Sequence, residues 1–244
     1  MSSSVLIIGA KSDIAKELAR IYAKKNYDLI LAGRNINKLE DFTKDIKIRS
    51  NQNIILKEFD ITDFDSHENF YNTLDEKPLG VIIVTGYMKE QQTVQRNWQE
   101  TLNTLNVNYT GAVSILNIIA NDFEERKYGF IVGISSVAGD RGRKANYIYG
   151  SAKAGFTAYL NGLRNRLYEN DVHVLTVKPG FIYTKMTENM DLPEKLTATP
   201  NAVAEDIFEA QQKKKDILYT KWIWKYIMCI IRHIPETIFK KMNI

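Results

Sequence analysis

A single cysteine, Cys229, stands among 244 residues, so no internal disulfide framework can form and nothing points to an oxidising compartment. Long apolar runs are missing: none reaches the roughly 18 residues that would argue for a membrane span. The short run Val5 to Ile8 has no cationic flank, so no secretory signal is read and the expected location is the cytoplasm. His67, His173 and His233 are scattered without ligand spacing, and no metal site is expected. Neither repeats nor low-complexity linkers interrupt the chain. With 25% charged and 44% hydrophobic residues, the composition excludes an intrinsically disordered chain.

The net charge of +4 is unevenly spread. The last 32 residues hold eight Lys/Arg against two Asp/Glu, or +6, and the other 212 hold 25 against 27, or −2. Trp222 and Trp224, two of the three tryptophans, lie in this basic tail. A basic, aromatic tail on a near-neutral body raises the question of partners separately from that of the fold.

Short β-branched runs alternate with helical patterns along the body. Strands are expected at Val5–Ile8, Leu29–Leu31, Ile54–Leu56, Gly80–Val84, Phe130–Val132, Val172–Val177 and Asp216–Tyr219. Helices are expected around Ile14 to Tyr22, around Leu39 to Ile46, over a long stretch near Asn97 to Arg126, along Phe156 to Leu167, and near Ala202 to Lys213. Seven continuous apolar strands separated by helices predict one doubly wound parallel α/β sheet of Rossmann type, covered on both faces. The domain is expected over residues 1–220, with 221–244 as a helical C-terminal extension.

In such a sheet ligands bind beyond the carboxyl ends of the strands. After the first strand, Gly9-Ala-Lys11-Ser12-Asp13-Ile14-Ala15 opens a helix whose N-terminus suits a phosphate, with Ser12 as cap or phosphate ligand. After the second, neutral Gly33 precedes Arg34, where an acid would select NAD; a cation there favours a 2′-phosphate and hence NADP. After the third, Asp60 could accept from an adenine amino group, while Thr62 and Asp65 have capping-box spacing. After the fifth comes Ser136, thirteen residues before Tyr149, with Lys153 four residues further on. A bare Tyr-x-x-x-Lys is expected about once by chance in this composition, so placement carries the weight. Positions i and i+4 share a helix face, which sets the Lys153 ammonium beside the Tyr149 phenol and predicts a lowered phenol pKa. Ser136 would then hold a carbonyl oxygen while the phenol protonates it.

From Val5 to about Tyr219 the chain resembles the short-chain dehydrogenase/reductase family. The resemblance implies that Ser136, Tyr149 and Lys153 are catalytic, with Lys153 also on the nicotinamide ribose. It implies further that Asn108, in Asn108-Tyr-Thr-Gly111, keeps a water-linked proton relay in place. Pro179-Gly180-Phe-Ile182-Tyr-Thr184 looks like the loop that holds the nicotinamide carboxamide. The cofactor contacts so implied are Gly9, Lys11, Ser12, Asp13, Ile14, Arg34, Asp60, Ile61, Gly86, Tyr149, Lys153, Pro179, Gly180, Ile182 and Thr184. Asp13 and Ala15 replace two glycines of the family's TGxxxGxG loop, and Ile83-Val-Thr-Gly86 keeps only the glycine of its NNAG. A Cβ at both replaced glycines limits close backbone approach, so cofactor geometry is expected to differ more than chemistry. A narrower resemblance, carried by Asp13, Lys178-Pro-Gly-Phe and the Trp-rich tail with its Arg-x-Ile-Pro, is to bacterial reductases of polyprenylphosphoryl 2-keto-pentose.

The leading expectation is therefore an NADPH-dependent carbonyl reductase, or the reverse alcohol dehydrogenase, acting on a small-molecule or lipid-linked carbonyl. Two other classes compete: a dinucleotide-binding redox sensor or scaffold without turnover, and a membrane-surface adaptor. In the tail, Lys221, Lys225 and Arg232 are expected on one helical stripe, with Trp222, Ile223, Trp224, Ile227, Ile230, Ile231 and Ile234 around the rest and Pro235 ending the helix. Such a helix either docks on the body or a partner subunit, as in a homo-oligomer, or lies at an anionic lipid surface as a peripheral anchor. Its apolar character argues against nucleic acid.

Overall fold

The computed structural model describes residues 4–188 and 190–243. The outer limits of the two expected segments, residues 1–3 and Ile244, lie outside them. Each expected strand forms, as β1 (Ser4–Ile8), β2 (Asp28–Gly33), β3 (Ile54–Glu58), β4 (Gly80–Ile83), β5 (Gly129–Ile134), β6 (Val172–Pro179) and a last strand at Ile217–Thr220. They build one seven-stranded parallel sheet in the order β3-β2-β1-β4-β5-β6 and then the last strand. The strand order reverses between β1 and β4, and the crevice at their carboxyl ends is the switch point.

Strand alternation divides the core in two. Val5 and Ile7 of β1 pack with Leu18 and Tyr22 of α1 (Asp13–Lys24), Ile46 of α2 (Glu40–Ser50), and Val203 and Ile207 of the helix at Pro200–Gln212. Leu6 and Ile8 face the other layer, with Tyr71 of α3 (His67–Asn72) and, further along, Ile115 and Phe123 of Gly111–Arg126 and Phe156 and Leu160 of Tyr147–Leu167. Every residue of β1 is buried, as a central parallel strand requires.

Three expectations are corrected. The long helix over Asn97 to Arg126 is instead α4 (Gln91–Arg96), α5 (Trp98–Leu105), a π turn at Asn106–Thr110, and α6 (Gly111–Arg126). Asn97 causes the first break: it leaves helical geometry and its side chain accepts from the Gln99 and Glu100 amides, capping α5. After α7 (Tyr147–Leu167), a two-stranded sheet of β7 (Phe181–Ile182) and β8 (Thr197–Ala198) appears, too short to leave a periodic signal. The remaining elements are α8 (Pro200–Gln212), β9 (Ile217–Thr220), α9 (Ile223–His233) and α10 (Glu236–Phe239). The stripe of Lys221, Lys225 and Arg232 does not form, because Lys221 precedes α9 with φ +53° and its ammonium donates to the Lys195 carbonyl at 2.9 Å.

Helix α9 is docked on the body. Trp224 and Met228 are buried against Val137, Phe181 and Tyr219, and Arg141 donates to the Ile231 and Ile234 carbonyls at 2.6 Å each. The Ile231 carbonyl otherwise holds only the Ile234 amide, at 3.4 Å, so Arg141 completes the C-terminal end of α9 from outside. Its guanidinium also lies 3.7 Å from the Phe239 ring centroid. Among the described residues no helix is long and apolar enough to cross a membrane.

Candidate active site

At the end of β1 the chain turns at Gly9, with φ +88°, where a Cβ would lie 2.9 Å from the Val84 carbonyl. Only glycine fits that approach without strain. The Ser12 hydroxyl accepts from the Ala15 amide at 3.1 Å, so Ser12 caps α1. Asp13 faces elsewhere: its carboxylate accepts from the Lys185 amide at 3.1 Å and ties the glycine loop to the segment after β7. Ala15 is buried in the core behind the loop.

The loop after β2 is held by Glu58, whose carboxylate accepts from the Asn35 and Ile36 amides at 2.6 and 3.0 Å. These two bonds hold its pKa below the usual carboxylate range. Arg34 projects beside it, its guanidinium 3.9 Å from the Asp60 carboxylate. Asp60 also accepts from the Thr62 amide and hydroxyl at 2.9 and 2.7 Å. Partial burial pushes Asp60 up, but the Thr62 bonds and Arg34 together bring it below its ordinary value. The capping box expected from Thr62 is absent, because the helical turn begins at Phe64 with Asp63 rather than Thr62 at its cap position.

Beyond β5, Ser136 is extended and its hydroxyl accepts from the Ala138 amide at 3.1 Å. Glycines let this turn press onto α7: a Cβ at Gly139 would lie 2.7 Å from the Lys153 and Ala154 backbone, and one at Gly150 2.8 Å from the Ala138 carbonyl. That contact sets Tyr149 and Lys153 against Ser136. Lys153 is 3% exposed, and its ammonium donates to the carbonyls of Ile134 at 3.0 Å and Thr85 at 3.4 Å. It sits 5.8 Å from the Tyr149 ring centroid. Burial pushes Lys153 down to about 7. Tyr149 departs from the expected direction: burial pushes its phenol up to about 12, while the neighbouring Ser136 hydroxyl pulls it part of the way back. The phenol thus holds its proton at neutral pH.

Asn108 sits in the π turn, 1% exposed. Its side-chain amide donates to the carbonyls of Thr104 at 2.8 Å and Tyr87 at 2.6 Å, and its Oδ1 accepts from the Tyr87 amide at 3.2 Å. The Thr104 carbonyl is the one an α-helix would pair with the Asn108 amide, so the side chain compensates for the π turn and fastens the strand-β4 loop to it.

Three connected cavities run along the sheet's carboxyl edge. The outer one, about 280 Å³, is lined by Gly9, Arg34 and Ile61, and shares Lys11, Ser12 and Gly86 with the central one. The central one, about 270 Å³, brings together Asp13, Ile14, Ser136, Tyr149, Lys153, Pro179, Gly180 and Thr184. The third, about 390 Å³, shares Ser136, Tyr149, Gly180 and Thr184 with the second. Ile182 lies in this third cavity, away from the other expected cofactor contacts. Asp60 and Asn108 line none of the three, their side-chain groups being turned onto Thr62 and Arg34, and onto Tyr87 and Thr104.

Sequence reasoning missed how the third cavity is built. Trp224, from the tail, forms part of its wall; its indole donates to the Leu196 carbonyl at 3.0 Å and packs on Phe181 edge-to-face. A Cβ on Gly180 would fall 2.0 Å from that indole, so the glycine makes room for the tryptophan. Behind the wall, the buried pair Lys178–Asp140 at 2.6 Å, with the Tyr219 hydroxyl on Asp140 at 2.7 Å, joins β6 and β9 to the loop after Ser136. The tail's tryptophan content was a visible signal, but its destination was not.

The groups around the central cavity fit a dinucleotide. A glycine turn and a helix N-terminus with Lys11 suit its pyrophosphate, an exposed arginine suits a 2′-phosphate, and a buried lysine suits a ribose. A family model described as short chain dehydrogenase matches residues 3–195. An uncharacterized oxidoreductase of Mycobacterium tuberculosis is 30% identical over 99% of this chain and 97% of its own length. The dehydrogenase/reductase SDR family member 7B of Rattus norvegicus is 26% identical over 98% of this chain and 79% of its own. A short-chain dehydrogenase from Sphingobium yanoikuyae, solved in complex with NADPH, superposes with a TM-score of 0.83 at 21% identity, covering 96% of each chain. One from Burkholderia cenocepacia in complex with NADP gives 0.82 at 17% identity, over 95% of this chain and 93% of that one.

Proposed function

Since the chain belongs to the short-chain dehydrogenase/reductase family and is an NAD(P)-dependent oxidoreductase, we propose that it reduces a carbonyl at the expense of NADPH, or catalyses the reverse oxidation of an alcohol. The observation that carries this reading is the meeting of Ser136, Tyr149 and Lys153 in the central cavity, the first two at its junction with the third. The bound nicotinamide supplies a hydride to the carbonyl carbon. Ser136 orients the carbonyl oxygen, and the Tyr149 phenol, protonated at neutral pH, gives that oxygen its proton. Lys153 would hold the nicotinamide ribose, its ammonium being kept beside the Tyr149 ring by the Ile134 and Thr85 carbonyls. Asn108 positions the β4 loop that closes the relay. A dinucleotide sensor without turnover has no use for the Ser136–Tyr149 pair. Replacing Tyr149 with Phe is expected to cut kcat by about 10²–10⁴ while leaving NADPH affinity within about twofold, as read by turnover and fluorescence titration. Wild-type kcat in that variant would remove Tyr149 from the mechanism.

NADPH is the preferred cofactor on this reading, because Arg34 is exposed beside the neutral Gly33. The acid in the glycine loop and the tail motifs support one finer substrate, a keto-sugar on a lipid carrier, to be tested by product analysis with NADPH. The outer face of α9 supports a peripheral membrane role: Trp222, Tyr226 and Ile230 are exposed beside Lys225. Cosedimentation with anionic vesicles, lost in high salt, is the expected result. Self-association without lipid would assign that face to a second copy of the chain.

A further inference from the structure

Two arginines of the loop after Ser136 have opposite fates. Arg141 is fully engaged, with its bonds to α9 and an ion pair to Glu236 at 2.9 Å. Arg143, two residues on, lines the third cavity and makes no side-chain hydrogen bond or ion pair among the described residues; its Nε is buried without a partner. The nearest carboxylate of the loop, Asp140, is already held by Lys178 and Tyr219. Beside Arg143 in the same wall is Asn146, which precedes α7, forms no side-chain cap, and has a buried, unpartnered Oδ1. Asn146 and Tyr149 bring the start of the 21-residue α7 into the cavity wall. The other described lining groups include no Asp or Glu and are mostly apolar, among them Val137, Phe181, Ile182 and Trp224.

A lone cation in an apolar wall is costly unless something pairs with it. Desolvation already weighs on Arg143, lowering its pKa from the ordinary value. A guanidinium whose donors are unused, placed in the cavity that Ser136 and Tyr149 also line, is a ready fork for an oxyanion.

We propose that Arg143 is the specificity-determining residue of the substrate cavity and that it selects a carbonyl compound bearing a carboxylate or phosphate on an apolar body. This rests on the third cavity being the substrate side of the reductase site. The body would fill the space against Phe181, Ile182 and Trp224, and the anion would pair with Arg143 near the start of α7.

Binding calorimetry on the NADP⁺-saturated full chain tests this without requiring turnover, and saturation keeps phosphates out of the dinucleotide cavities. The probes are benzoate, phenyl phosphate and the uncharged methyl benzoate. Wild type is expected to bind at least one of the two anions about tenfold or more tightly than the ester. In Arg143→Met that ratio should collapse towards one, and Arg143→Lys should restore part of it. Preference for benzoate or for phenyl phosphate distinguishes a carboxylate from a phosphate substrate. Wild type without anion preference, or a ratio unchanged in Arg143→Met, overturns the proposal. The Tyr149→Phe kinetics stand apart: their failure would strike the reductase reading, whereas the calorimetry strikes only the anion site.

Discussion

On the glycine-turn side of the cleft the walls are held by contacts between near neighbours in the sheet. Gly9 presses on the Val84 carbonyl, Glu58 pins the Asn35 and Ile36 amides, and Ser12 caps α1. Each of these contacts sits within a strand and the loop that follows it, or between adjacent strands of the sheet. On the side proposed for the substrate the walls are side chains from distant segments. Arg143 comes from the loop after β5, Phe181 from β7 and Trp224 from the tail, with Asp140, Lys178 and Tyr219 locked behind them. Phosphate recognition uses properties every residue has, N–H groups and a helix dipole, so one local motif suffices. Substrate recognition needs a particular shape and charge, which only side chains assembled from several segments can supply.

Breaking the substrate wall should have the largest effect and should spare the nucleotide side. Trp224→Ala removes a 4% exposed indole and its bond to Leu196, which is expected to cost about 3–5 kcal/mol of stability. Thermal and urea unfolding would measure the loss, and NADPH affinity under native conditions should change little. Gly180→Ala attacks the same packing from the other partner and should also lower Tm, by overpacking. Lost NADPH affinity in Trp224→Ala would mean that the two sides are not separable, whereas Gly180→Ala is read by Tm alone because Gly180 also lines the central cavity.

A smaller effect is expected at Arg34. Its charge-assisted contact to a 2′-phosphate should be worth about 1.5–3 kcal/mol, so Arg34→Met should weaken NADPH by about tenfold or more and leave NADH nearly unchanged. Gly33→Asp should move the preference towards NADH. Titration of both cofactors against each variant checks this, and equal wild-type affinities would take Arg34 out of the account.

Taken per pH unit, the smallest effect is a slope of stability with pH. Burial depresses the Lys153 pKa to about 7 from its ordinary 10.5, so between those limits the unfolded chain binds a proton that the folded chain does not. Stability should therefore rise with pH across this window on account of Lys153, with the penalty of burying its charge fully present below pH 7. In Lys153→Met that contribution vanishes, flattening the curve by up to about 1.4 kcal/mol per pH unit. Parallel urea-unfolding series for the two proteins without cofactor would reveal the difference, and superimposable slopes would mean that Lys153 stays protonated when folded.

The parallel sheet was legible in the residues because a strand buried on both faces needs a continuous apolar run, and each of the seven runs became a strand. Gly9 and Ser136 were legible because each follows the end of a strand, and Tyr149 and Lys153 because residues four apart share a helix face. The π turn at Asn108 left no such trace: it depends on whether one side chain finds Thr104 and Tyr87. Proximity of Lys153 to Tyr149 followed from helical spacing, but the direction of the phenol's pKa did not, because desolvation belongs to the packed site and outweighs the Ser136 hydroxyl. Nor could composition tell a free tail from a docked one. Trp224 reads as part of a basic, aromatic helix, and only the space left by Gly180, the Leu196 carbonyl and the Arg141 cap turns that helix into a wall of the cavity. Local pattern sets what a segment is, through backbone geometry and the periodicity of burial. What it touches is decided by long-range packing, where the same apolar face gains as much from one complementary surface as from another.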